Sequence, residues 1–285
     1  MKIRITGGSG TSVASALVAR GCLPLLCLVF CANRSMAQPY FEEAPIRYSI
    51  RSANDPIAEL QRSIQDKTYE FTATGSRETL ETILELLDIS PESQILVFSK
   101  TSLQNELISP ETPRALYFND SHYVGWAQGG DIEVAASDRR LGLTFYQITP
   151  TEKTELKHAP DIQRNATCLI CHAESFSSTY PGLMAHSVFA TEEGTQLVRD
   201  KSYDVDHRTP IEHRWGGWYV TGRIDGPRHR GNVYFTPSQE DAADITATDI
   251  DRGSYLEDLN SVIDTTPYLR STSDVLALLV FEHQI

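Results

Sequence analysis

The spacing of apolar residues changes sharply near residue 94. Before it, DPIAELQRSIQDK (55–67) places Ile57, Leu60 and Ile64 three and four apart behind Asp55-Pro56. That period predicts an amphipathic helix with a defined start. SRETLETILELLDI (76–89) predicts a second helix, with Ser76 as N-cap and Glu78 in the first turn, where the helix dipole favours a carboxylate. Thr79 stands where a full capping box needs Glu or Gln. After residue 94 the runs are short, aromatic and β-branched: QILVFSK, RALYFND, YVGWAQ, DIEVAAS and LGLTFYQIT, separated by SPETP, NDS, GGD and SDRR. This predicts an antiparallel meander over roughly 94–149. Further strand signals follow at HSVFA, TQLV, WGGWYVTG and NVYF, and SYLEDLNSVI and SDVLALLVFEHQI read as helices. The expected fold class is α+β, a meander with flanking helices and an embedded segment at 160–185.

The first residues require separate treatment. MKIRITGGSGTSVASALVARG suggests a strand, a glycine turn and a helix, but Val13 stands at the third glycine of the dinucleotide fingerprint and no acidic residue precedes Glu42. Lys2, Arg4 and Arg20 instead lead into the uncharged run CLPLLCLVFCA, followed by SMA at 35–37. A basic start, a short apolar run and small residues describe a secretory signal cut after Ala37. The apolar run is too short for a bilayer, which takes about 20 residues. The expected organisation is therefore a leader at 1–37 and a single α+β domain at 38–285, exported to the periplasm or beyond, with no stable membrane span after cleavage. The last predicted helix runs apolar up to Ile285 without a polar exit, which suggests a chain truncated from a longer one.

Charge and cysteine count narrow the chemistry. The formal charge of −13 argues against nucleic acid, whose phosphates need a basic surface. Losing Lys2, Arg4, Arg20 and Arg34 with the leader takes it to −17. Cys22, Cys27 and Cys31 leave with the same segment, so only Cys168 and Cys171 remain, and both lie in NATCLICHAESF as C-x-x-C-H. In c-type cytochromes these thiols add across the haem vinyl groups and the histidine, here His172, ligates iron. A structural zinc site wants four N/S ligands; a second cysteine pair is absent, and His186 and His207 do not form a spaced pair. A thioredoxin-like dithiol belongs at a helix start after an early strand, a context missing here. Two buried thiols beside a chance histidine are a fourth reading, which leaves their spacing unexplained. One covalent haem c, on Cys168, Cys171 and His172, is the expectation.

Several stretches carry a resemblance: ANDPIAELQ, QILVFSKTSLQ, ISPETPRALYFND, YVGWAQGGDIEV, TCLICH, RWGGWYVTG, RHRGN and VLALLVFEHQ. Together they resemble an uncharacterised family of exported bacterial proteins with a single C-x-x-C-H, over nearly all of the chain from about residue 53. The resemblance implies an exported cytochrome-c-like protein of undefined activity, with longer relatives that continue past EHQ. About 130 residues separate Ala37 from Cys168, whereas the small all-helical cytochrome c fold carries the motif near its start. A different fold is expected.

The sixth iron position decides between electron transfer and ligand chemistry. Met184, 12 residues past His172, spans up to about 40 Å when extended and can reach the far face. His229 in RHRGN and His207 in DHRTP are the other candidates; His122, His158, His186, His213 and His283 read as surface or core. HRWGGWYVTGR has two readings: Trp215, Trp218 and Tyr219 over a haem face with Arg214 on a propionate, or an aromatic core strand. The functional expectation is an exported monohaem electron carrier with a redox protein partner, which the acidic charge suits if basic. The alternatives are a haem enzyme or gas sensor with an open distal site, and a haem-free dithiol oxidoreductase.

Overall fold

The computed structural model describes residues 40–151, 159–173, 180–197, 203–226, 228–236 and 255–285. The leader assigned to 1–37 lies outside them, and Gln38–Ile285 forms one compact unit. Helix α1 is Pro56–Gln65 and α2 is Gly75–Leu86. Strands β1 (Ile95–Val97), β2 (Arg114–Phe118), β3 (His122–Trp126), β4 (Ile132–Asp138), β5 (Gly142–Thr149) and β6 (Asp161–Arg164) form the meander. The late strand β10 (Trp218–Tyr219) pairs with β1, giving a seven-stranded antiparallel sheet of order β10-β1-β2-β3-β4-β5-β6. Short strands β7 (His186–Ser187) and β9 (Tyr203–Asp204) pair antiparallel, while β8 (Ala190–Thr191) and β11 (Tyr234–Phe235) pair in parallel. The fold is therefore α+β, with no all-helical cytochrome architecture.

Alternation along the strands gives the sheet two different faces. Ala115, Tyr117, Val124, Trp126, Ile132, Val134, Ala136, Tyr146 and Ile148 belong to the main core, which takes Ile57 and Leu60 from α1 and Leu80, Ile83 and Leu84 from α2. The intervening residues form rows on the opposite face: Phe118 beside Tyr123, Ala135 and Phe145, and Leu116 beside Gly125 and Glu133. That second face carries the site described below. Asp55 locks α1 to the sheet. Its Oδ1 accepts from Ile57 N and Ala58 N at 2.9 Å, and its Oδ2 accepts from the Thr144 and Tyr146 hydroxyls at 2.8 and 2.6 Å.

Three local expectations need correction. The N-cap of α2 is Thr74, and Gly75 begins the helix at φ +75°. The Ser76 hydroxyl is used elsewhere, accepting from Trp126 Nε1 at 2.6 Å and donating to Gly130 O at 3.1 Å. From Tyr255 to Ile263 there is no helix but a series of turns. Asp258 Oδ1 accepts from Asn260 N at 2.9 Å and Asp264 Oδ1 from Thr266 N at 3.0 Å, local bonds that compete with helical ones. Of TQLV, the described residues 195–197 contribute one bridge, Gln196 to Ala190, rather than a strand. The final helix α4, Val275–His283, forms as predicted, capped by Asp274 Oδ1. No helix among the described residues is long and apolar enough to cross a membrane.

Candidate functional site

The C-x-x-C-H segment follows β6 directly. Asn165 N donates to Phe145 O at 2.9 Å, and the Asn165 side chain accepts from Thr167 N at 2.9 Å. This caps a 3₁₀ turn, Ala166–Cys168, that continues into the single helical turn α3, Leu169–His172. Leu169 is buried beside Ala135 and Phe145 and pins the turn to the second face of the sheet.

Gly182 holds His172 at both ends. Gly182 N donates to His172 O at 2.8 Å, and His172 Nδ1 lies 2.9 Å from Gly182 O. A carbonyl only accepts, so Nδ1 carries the proton and the lone pair of the neutral ring resides on Nε2. Burial lowers the His172 pKa, with the Gly182 bond opposing it, so the ring favours the neutral, ligating form. The Phe145 ring lies 4.7 Å from the imidazole, tilted by 33°.

The two thiols differ. Both are free; Cys171 is exposed and Cys168 partly buried. Burial, followed by the charge of Glu133, pushes the Cys168 thiol up to about 11. A nucleophilic dithiol needs the opposite shift.

Cys168, Cys171 and His172 line one cavity of about 350 Å³, together with Met184. Leu116, Phe118, Tyr123 and Phe145 supply apolar wall from the sheet, and Phe281 closes it from α4. Lys100, Ser102, Arg114 and Glu133 make a polar stretch of the same lining. An apolar cleft with few polar groups suits a cofactor or small molecule. Arg114 and Glu133 form an ion pair through Nη2 and Oε2. Sequence reasoning missed both: they stand on β2 and β4, and only the strand register brings them together.

Of the predicted site residues, Cys168, Cys171, His172 and Met184 therefore meet at one cavity; His207 and His229 do not line it. His207 is exposed and stacks on His283 at 4.7 Å. His229 is fully buried against Trp215 and Tyr255, at 5.1 and 5.4 Å. It accepts from Gly231 N at Nδ1 at 3.0 Å, and burial lowers its pKa to about 4. Within HRWGGWYVTGR, residues 214–221 are core, and none of the segment lines the cavity. Arg214 bonds Glu282 at 2.7 Å and the carbonyls of Thr209 and His207 at 2.5 and 2.8 Å. Gly217 has φ +81°, and a Cβ there would sit 2.6 Å from Ser99 Cβ, so a close loop contact explains its glycine. Among the described residues no group of three or more His, Cys, Asp and Glu side chains is placed to hold a metal ion, so a four-ligand zinc set is not assembled there.

No protein-family model matches the chain, and neither a curated protein nor a solved structure matches it.

Proposed function

We propose that the chain is a monohaem c-type protein, with haem bound through Cys168 and Cys171, ligated by His172, and used for single-electron transfer. One observation carries this reading. Both thiols of the motif and His172 line a single largely apolar cavity, and the His172 Nδ1 bond to Gly182 O leaves the Nε2 lone pair free for a ligand bond. A covalently held haem supplies a one-electron iron couple whose potential follows its axial ligands and surroundings. The chain's own residues bind, orient and shield it. Gly182 fixes the imidazole tautomer, Phe145 flanks the ring, and Phe118, Tyr123 and Phe281 lower the local dielectric. The raised Cys168 thiol weighs against a redox dithiol.

Met184, the one thioether in the lining, is the side chain to test as second axial ligand. The test is the spectrum of the holoprotein made with haem-attachment machinery. A six-coordinate, low-spin ferric spectrum that becomes high-spin in Met184→Leu supports an electron carrier with methionine ligation. A high-spin wild type that binds cyanide rapidly replaces electron transfer with open-site chemistry. That second reading has its own observation, the Arg114–Glu133 ion pair in the lining, which offers polar groups to a small ligand.

A further inference from the structure

The Arg114 side chain is built into the sheet in an unusual way. It leaves β2 and crosses β3 to reach Glu133 on β4. The crossing is possible because β3 presents Gly125 there. A Cβ on Gly125 would lie 2.1 Å from Arg114 Nη2 and 2.6 Å from its Cζ. Glu133 is held in turn by the Ser102 hydroxyl, 3.4 and 3.5 Å from its two carboxylate oxygens. The guanidinium is thus seated in a cradle and part of the cavity lining.

Its hydrogen bonding is incomplete. A guanidinium carries five N–H donors. Among the described residues the Arg114 side chain makes one hydrogen bond, from Nη2 to Glu133. Its Nε is buried and has no acceptor. The charge itself is paired with Glu133, and the buried Nε is beyond a ligand's reach, but Nη1 makes no hydrogen bond among the described residues and is not buried, so its donors are open to an acceptor from outside the chain. Lys100 adds a second cation to the same lining. Two cations against one carboxylate select a negative ligand.

We propose that Arg114, cradled by Gly125 and Glu133, binds a carboxylate or comparable small oxyanion in the cavity. Two sources offer that chemistry: a propionate of the haem, or a free oxyanion entering beside it. The choice between them rests on the haem reading above; the anion site itself does not. The donors that Glu133 leaves open belong to a planar guanidinium, the group that recognises carboxylates.

The experiment compares wild-type holoprotein with Arg114→Lys, which keeps the charge but loses the fork, and with Arg114→Gln. Haem content and thermal unfolding are measured on each, then formate is titrated against the haem spectrum. Saturable binding, weaker by about tenfold or more in Arg114→Lys, identifies a free oxyanion. No formate response in wild type, with the pH dependence of the midpoint potential displaced upward by about one unit in Arg114→Gln, identifies the propionate. If folded, haem-loaded variants match wild type in both measurements, the proposal is wrong. If the wild type carries no haem, the function proposed above fails separately. Calorimetric formate titration of haem-free wild type and Arg114→Lys then decides the anion site: matched or absent binding overturns it.

Discussion

Cys168 and Cys171 share a motif but not an environment, and the difference is measurable. In haem-free protein Cys171 is exposed, while burial pushes Cys168 up to about 11. Iodoacetamide should therefore modify Cys171 well before Cys168 near neutral pH, with the Cys168 rate climbing toward pH 11. Equal rates, followed by peptide mass spectrometry, would contradict the described environment. His229 makes a second residue-scale prediction. Its pKa falls from 6.5 to about 4 on burial. The unfolded chain then binds the proton first, so this contribution is complete above pH 6.5 and is lost as pH falls toward 4. Its size is on the order of 3 kcal/mol. Replacing His229 with Leu should flatten stability between pH 6.5 and 5 in denaturant titrations; an unchanged slope would show that His229 does not titrate this way. Cysteine counting made the motif stand out, because both cysteines after residue 37 fall in one spacing. Arg114 and Glu133 gave no such signal. They are 19 residues apart, on strands separated by β3, and no local pattern encodes a cross-strand pair.

At the level of elements, Asp55 carries more than its place in the sequence suggests. It caps α1 and also accepts the two β5 hydroxyls of Thr144 and Tyr146. Asp55→Ala should cost about 2–4 kcal/mol, from a lost cap near 1 kcal/mol and the buried Tyr146 hydroxyl left without its acceptor, while the Thr144 hydroxyl keeps Ala136 O. Urea unfolding checks this, and a loss below about 1 kcal/mol would mean the Tyr146 hydroxyl finds another partner. The five strands over 94–149 were legible because each is aromatic or β-branched and bounded by turn residues, whereas β6, with the polar sequence DIQR, gave no such signal. The closing strand β10 was visible as a segment but not as the partner of β1, since that pairing joins positions over 100 residues apart. Tyr255–Ile263 misled because Leu259 and Ile263 have helical spacing, yet the flanking Asp258 and Asp264 side chains accept from the backbone two residues on and hold turns instead.

At the largest scale, the unit Gln38–Ile285 is organised by a two-faced sheet. One face buries the main core under α1 and α2; the other supports the C-x-x-C-H turn and its cavity, with α4 against it. Rigid strands beneath the site suit a bound group that must not reorganise. The acidic balance, −13 over the chain, belongs to this scale. Reduction of the holoprotein by a basic redox partner should slow as ionic strength rises, while reduction by a neutral small molecule should not. Stopped-flow rates at several salt concentrations test this; a rate that rises with salt would exclude a basic partner. The central claim, covalent haem on Cys168 and Cys171, is tested most directly by a pyridine haemochrome spectrum. The protein is expressed in a periplasm equipped for haem attachment, beside a Cys168→Ala, Cys171→Ala control. A c-type band that survives acid-acetone extraction and is missing from the control is the predicted result. A folded wild-type protein without that band, made alongside a cytochrome that does mature, would contradict it.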